Sequence, residues 1–306
     1  MRDGRRRLRI RRLPALAAGS GGAAVLAAGL AIERRHLRRV ARDPDYARLS
    51  VPLGGEHRSV RSADGTQLNA RIFGPDDAPT LVLVHGWTEA LRFWSDVITD
   101  LGARGLRLVA YDLRGHGESG RASEGDYSLA RFGEDVEAIL ATCVPPGGRA
   151  AVAGHSLGAM SIAAWAEHHD VGLRVCAAAL INTGLGDLIS GHLLFGEAAR
   201  WLRHPVAGRM LLGSRAPAPR FSSPLLQAVL RYGAFGPAAT IGQVAYYERM
   251  LIACPADVRA ACGVAMSEMD LHEAVARLTV PTLVVAGACD RLTPPAHARR
   301  ILATLP

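Results

Sequence analysis

The sequence predicts an α/β protein with a mostly parallel central sheet, helices on both of its faces and an inserted helical cap. Three observations predict it. Short continuous apolar runs at 81–84, 106–111 and 283–286 alternate with helical patterns, as strands buried on both faces of a parallel sheet require. Gly154-His155-Ser156-Leu157-Gly158 joins the apolar run 149–152 to the helix-like stretch 159–165, so strand and helix meet in a very tight turn. From 182 to about 277 the strands stop and helical patterns follow one another, a span too long for a simple crossover.

A chain of 306 residues, 49% of them hydrophobic, buries one large core, and one domain with an insertion suits that length better than two separate domains. The net charge of +8 points at first to nucleic acid, but its source is local. Residues 1–42 hold 12 arginines against Asp3 and Glu33, which leaves the rest of the chain at −2. A nucleic-acid-binding body would carry the excess itself, so no nucleic-acid partner is expected. The five cysteines, Cys143, Cys176, Cys254, Cys262 and Cys289, are odd in number and lack metal-type spacing, so neither a disulfide framework nor a metal site is expected. Cys143 and Cys176 fall on predicted buried faces, where a thiol packs as a small hydrophobe.

Residues 1–12 form a basic tail, and 13–32 then run uncharged for twenty residues, enough at helical rise to match the roughly 30 Å hydrocarbon core of a bilayer. Alanine and glycine dilute the hydropathy of this run, and arginines flank both ends. A membrane anchor with the folded domain outside is the expectation; a cleaved signal on a secreted protein and a peripheral tail on a cytoplasmic one are the alternatives. Residues 33–56, with Asp43-Pro44-Asp45, read as a linker, and the folded domain follows at 57–306.

Within that domain, 57–62 and 67–73 alternate polar and apolar residues around Ala63-Asp64-Gly65-Thr66, a hairpin signal for an antiparallel edge. The run 81–84 leads into His85-Gly86-Trp87, at the carboxyl end of a strand, where sheets of this class bind ligands. Leu91, Trp94, Val97, Ile98 and Leu101 recur at helical spacing before the strand 106–111. The stretch 112–119 carries Asp, Arg, His and Ser, yet Gly115 and Gly117 mark a sharp turn, and a structural role is expected. A helix with Ser128 as N-cap then runs to Cys143 and stops at Pro145-Pro146-Gly147-Gly148. After the strand 174–181 comes the cap, about 183–277, with helical patterns at 193–202, 224–232, 238–252 and 255–266. Phe195, Trp201, Phe221, Phe235, Tyr246 and Tyr247 are its candidates for lining a pocket, most of them as cap core. The strand 283–286 leads to Asp290, and Pro294-Pro295 opens the last helix.

The chemistry concentrates at the tight turn. Small residues Gly154 and Gly158 let strand and helix approach and force the Ser156 hydroxyl outward, as in a nucleophile elbow. The Leu157 N–H then sits at a helix N-terminus, aimed where an oxyanion would form. With 81–87, 111–119 and 280–294 in chain order around this elbow, the region 57–306 resembles the α/β-hydrolase family. The resemblance implies a serine hydrolase of carboxylic esters or related acyl compounds that needs no cofactor. Ser156 would attack, the N–H groups of Trp87 and Leu157 would hold the oxyanion, and Asp290 would orient a histidine; His85 and Gly86 support the oxyanion loop. The family pattern continues past Asp290 with a further strand, a histidine loop and a helix, so a fragment lacking its base is expected, with 280–286 as an open edge. His297, the one histidine after Asp290, is expected to pack rather than to act. A non-catalytic binding protein of the same fold and a membrane-tethered interaction protein, its arginines on anionic lipid, are the competing readings.

Overall fold

The computed structural model describes residues 20–188, 204–217, 219 and 222–306. Its centre is a seven-stranded sheet in the order β1-β2-β4-β3-β5-β6-β7. The strands are β1 (Glu56–Arg61), β2 (Gln67–Phe73), β3 (Thr80–Val84), β4 (Arg107–Tyr111), β5 (Ala150–His155), β6 (Val175–Ile181) and β7 (Thr282–Val285). β1 and β2 pair antiparallel as the hairpin signal implies, with Gly65 at φ 87° in the turn, and β2 joins β4 antiparallel. From β4 through β3, β5 and β6 to β7 every pair is parallel. The strands β3 and β4 are almost wholly buried, which is why their sequences show apolar runs rather than alternation.

The helices outside the cap are α1 (Ser20–Ala41), α2 (Pro44–Leu49), α3 (Ser95–Gly102) after a 3-10 turn at Leu91–Trp94, α4 (Leu129–Cys143), α5 (Leu157–His168) and α6 (Val171–Arg174). One apolar cluster joins α4 and α5 to the sheet through Phe132, Val136, Ile139, Met160 and Trp165; a second, on the opposite face, holds Leu83, Leu108, Trp94 and Ile98. The cap contributes α7 (Pro205–Leu212), α8 (Pro224–Ala234), α9 (Ile241–Ala253), α10 (Ala256–Glu268) and α11 (His272–Val275), and α12 (Pro295–Thr304) follows β7. Ser223 caps α8 by accepting from the Leu226 N–H at 3.1 Å. Thr240 and Gln243 form a reciprocal capping box on α9. The helix expected at 193–202 and the aromatic residues Phe195, Trp201 and Phe221 lie outside the described residues, as does the basic tail 1–12.

Two expectations meet a different arrangement. Residues 38–49 do not run as a linker: they complete α1 and form α2, because the Asp43 carboxylate caps Asp45 N at 3.0 Å, Pro44 suits a first helical turn, and Val40 and Leu49 are buried. α2 docks on α9, with Thr240 Oγ1 donating to Asp45 at 2.9 Å, and its Arg48 also pairs with Asp96 on α3. Cys176 is exposed rather than buried. Ala150 pairs with Val175 and Ala151 with Ala177, so Cys176 is the extra residue of a bulge and is displaced from the alternation. At the amino terminus, the described part of the uncharged run continues as one helix through Glu33, Arg34 and Arg35 to Ala41. Among the described residues no single helix is long and apolar enough to cross a membrane.

The turn after β4 is structural, as its glycines suggest, and it is built on charge. Arg114, fully buried, donates to both oxygens of buried Asp135 at 2.6 and 2.7 Å and to Asp64 in the hairpin turn at 2.8 Å. This triad fastens the β1–β2 turn, the β4 turn and α4 to one point. Removing its cation strands two carboxylates away from water. Arg114→Met is expected to lower unfolding free energy by about 3–5 kcal/mol, read from urea denaturation, far more than loss of an exposed pair such as Arg58–Glu56.

Candidate active site

The elbow is formed by close contact of backbones. A Cβ on Gly158 would lie 2.2 Å from the Val84 carbonyl oxygen, and one on Gly154 would lie 2.5 Å from Ala159 N. Only glycine fits at either position. Between them Ser156 is held at φ 50°, a left-handed conformation that is strained for a residue with a side chain. Its N–H donates to Ile181 O on β6 at 3.0 Å, and its carbonyl accepts from Ala159 N, Met160 N and the Thr183 hydroxyl. The hydroxyl itself has no hydrogen-bond partner among the described residues and is partly exposed.

The neighbouring strand β3 supplies the opposing loop, and its N–H groups are almost all engaged. Gly86 N donates to Glu89 Oε2 at 2.6 Å, Thr88 N to His116 Nε2 at 3.2 Å, and Glu89 N to Gly86 O at 3.3 Å. Trp87 N has no acceptor among the described residues, and neither does Leu157 N in the first turn of α5. The Trp87 indole does not lie loose in a pocket; it donates to Arg259 O on α10 at 3.0 Å and ties the cap to this loop. Thr88 Oγ1 meets the Tyr247 hydroxyl at 3.1 Å, so Tyr247 likewise anchors the cap.

Four buried side chains hold the loop in place, and of these only Glu89 was not assigned by the sequence reading. Asp112 accepts from Leu91 N, Asn69 Nδ2 and Glu118 N at 2.7 to 2.9 Å, joining the start of the 3-10 turn to β2. His116 and His85 are fully buried, and burial pushes both imidazoles down to about 4, so they are neutral at pH 7. Each accepts a backbone N–H at Nε2, from Thr88 and Leu113 respectively, which places the ring proton on Nδ1, donating to Arg114 O and Gly86 O. Both rings are therefore fully engaged. The fourth, Glu89, is buried and, besides Gly86 N, meets His155 Nδ1 at 3.1 Å, while His155 stacks on Phe93 with centroids 4.6 Å apart. An acid four residues beyond the oxyanion-loop histidine, inside an apolar surround, was the available signal for it.

Asp290 follows β7, two strands from β5, and is held by its own turn. Oδ1 accepts from Leu292 N and Thr293 N at 2.8 and 2.9 Å, and Oδ2 from the Thr293 hydroxyl at 2.9 Å. Its charge still reaches the elbow, where it adds to the field on His155. No histidine ring hydrogen-bonds to Asp290 or to Ser156 Oγ among the described residues. His297 is buried beside Gly184 with its Nε2 unpartnered, the packing position that its place on a helix suggested.

This strained serine in a strand-to-helix turn lies within the stretch of chain that matches a known hydrolase family. Residues 76–306 match the serine aminopeptidase S33 family. The chain belongs to that family and is an α/β-fold hydrolase. Among its relatives, a bifunctional esterase/perhydrolase from Acinetobacter calcoaceticus is 26% identical over 251 residues, 77% of this chain and 83% of the relative. A monoacylglycerol lipase from Mycolicibacterium smegmatis is 28% identical over 254 residues, 81% of this chain and 83% of the lipase. The crystal structure of an esterase from Rhodococcus sp. ECU1013 superposes with a TM-score of 0.67 at 27% identity, covering 82% of this chain and 87% of the esterase.

Burial opposes protonation of His155, but the charge and hydrogen bond of Glu89, with Asp290 adding, outweigh it and raise its pKa. A raised folded pKa stabilises the protein fully below the ordinary histidine value of about 6.5, and that stabilisation is lost as pH rises through the folded value. The unfolding free energy is therefore expected to fall as pH rises above about 6.5, and Glu89→Gln is expected to flatten that fall. Parallel pH profiles in urea denaturation would remove the pair as its source.

Proposed function

We propose that this hydrolase acts on carboxylic esters of small molecules, with Ser156 as its nucleophile. The observation that carries the proposal is the conjunction of an unpartnered Ser156 hydroxyl at φ 50° with the unengaged N–H groups of Trp87 and Leu157. The ester-cleaving relatives support the substrate class. Ser156 Oγ attacks the ester carbonyl carbon, and its proton passes to a water molecule at this partly exposed position, which returns it to the departing alkoxide. The carbonyl oxygen gains negative charge and is met by N–H donors that are oriented before the reaction, so little reorganisation is needed. Collapse expels the alcohol and leaves an acyl-serine, which water then hydrolyses. Asp290 is the proposed acid, and Gly154, Gly158, His85 and Gly86 keep the two loops in register. None of His85, His116 or His155 is assigned the base, because the first two have both ring nitrogens engaged and the third is turned to Glu89.

Turnover of p-nitrophenyl butyrate by the purified chain tests this. Ser156→Ala is expected to lower kcat by roughly a thousandfold or more with an unchanged circular dichroism spectrum, and to abolish labelling by a fluorophosphonate probe. Retained turnover, or labelling at another serine, would overturn the assignment.

A further inference from the structure

The loop that follows α2, the turn after β4 and one face of α9 enclose a pocket of about 450 Å³, a volume within the range of small-molecule sites. Ser156, Leu157, Trp87 and Asp290 do not line it. Leu53, Leu91, Met250 and Ala253 give it apolar walls, and its charged groups are three arginines and three carboxylates. The carboxylates are occupied. Asp112 accepts three internal donors, Glu89 holds Gly86 N and His155, and Glu118 faces Arg71 at 3.8 Å.

Arg92 and Arg249 remain. The Arg92 guanidinium lies over the Tyr246 ring, 5.9 Å from its centroid, and donates to no acceptor among the described residues. The Arg249 guanidinium lies 5.9 Å from the Tyr46 centroid and gives a single hydrogen bond, 3.2 Å, to the Tyr46 hydroxyl. Neither has a carboxylate within 4 Å among the described residues. Aromatic faces orient both guanidinium groups without neutralising them, and their N–H donors stay open to the cavity.

We propose that this pocket is a second binding site, separate from Ser156, for a small organic carboxylate with a short apolar tail. Arg92 and Arg249 hold the carboxylate, and Leu53, Met250 and Ala253 receive the tail. A monoanion suits the site better than a phosphate dianion, since buried Asp112 and Glu89 stand close by and repel the second charge. Glu89, which lines the pocket, is the same carboxylate that holds Gly86 N of the loop beside the elbow, so an occupant would sit one side chain from that loop.

The test is calorimetric titration of the full chain with hexanoate at low salt, in the Ser156→Ala background, so that the readout is independent of any turnover. Saturable binding is expected, weakened roughly tenfold by Arg92→Gln and by Arg249→Gln, since a charge-assisted hydrogen bond contributes enough for about that factor. Hexanamide, which lacks the charge, is expected to bind the parent no more tightly than the variants. Ala253→Phe, which fills the cavity while keeping both arginines, is expected to abolish the signal. Arg249 is exposed, so its variant reports on binding with the fold kept, checked by melting. Hexanoate affinity unchanged in both arginine variants, or no saturable binding to the parent, overturns the proposal.

Discussion

The contact on which the site depends is between two backbones: the start of α5 against the carboxyl end of β3, close enough that a methyl group at position 158 would overlap Val84 O. That approach sets the sharpness of the turn, and the turn sets the left-handed conformation of Ser156. It also places the loop after β3 beside the loop after β5, since Val84 pairs with Gly154 in the sheet. Strain of this kind, on the order of 1–3 kcal/mol at one residue, persists only where the surroundings over-determine it. Here the sheet register and the helix behind it do so.

Around that contact the protein has built a dry polar framework rather than a purely apolar one. Asp112, His85, His116 and Glu89 are all buried, and each accepts at least one backbone N–H from the loops that flank the elbow. Burial keeps both imidazoles neutral, the backbone N–H that each accepts at Nε2 fixes its tautomer, and a fixed tautomer gives a fixed direction to the backbone groups it holds. In a medium of low dielectric such bonds are stiff, and a broken one leaves a stranded dipole. The N–H groups of Trp87 and Leu157, without acceptors among the described residues, stand beside the engaged donors Gly86 N, Thr88 N and Glu89 N.

Much of this was legible in the sequence. The strands β3 to β7, the hairpin, the cap and the elbow all follow from apolar periodicity, glycine placement and turn chemistry, because those elements are fixed by local geometry and by burial of whole faces. What was not legible depends on partners far apart in the chain. The Arg114 triad joins residues 64, 114 and 135, and nothing local distinguishes those carboxylates from solvated ones. Glu89 reads as a loop acid until the elbow is folded against it. Cys176 was misplaced because a bulge adds one residue to a strand without any mark in its composition. Residues 38–49 read as a linker because their charge suggested solvent, whereas Leu49 and the Asp43 cap commit them to the cap.

That last feature alters how the cap can move. α2 holds α9 through Asp45 and Thr240 and holds α3 through Arg48 and Asp96, so it bridges the cap and the body. It is a further tie between cap and body, beside those of Trp87 to Arg259 and Thr88 to Tyr247, and it comes from a part of the chain outside the family match at 76–306. Any swing of α9 away from the sheet must carry α2 with it or detach it. Separation of α9 from the sheet and release of α2 are therefore coupled through the same two contacts.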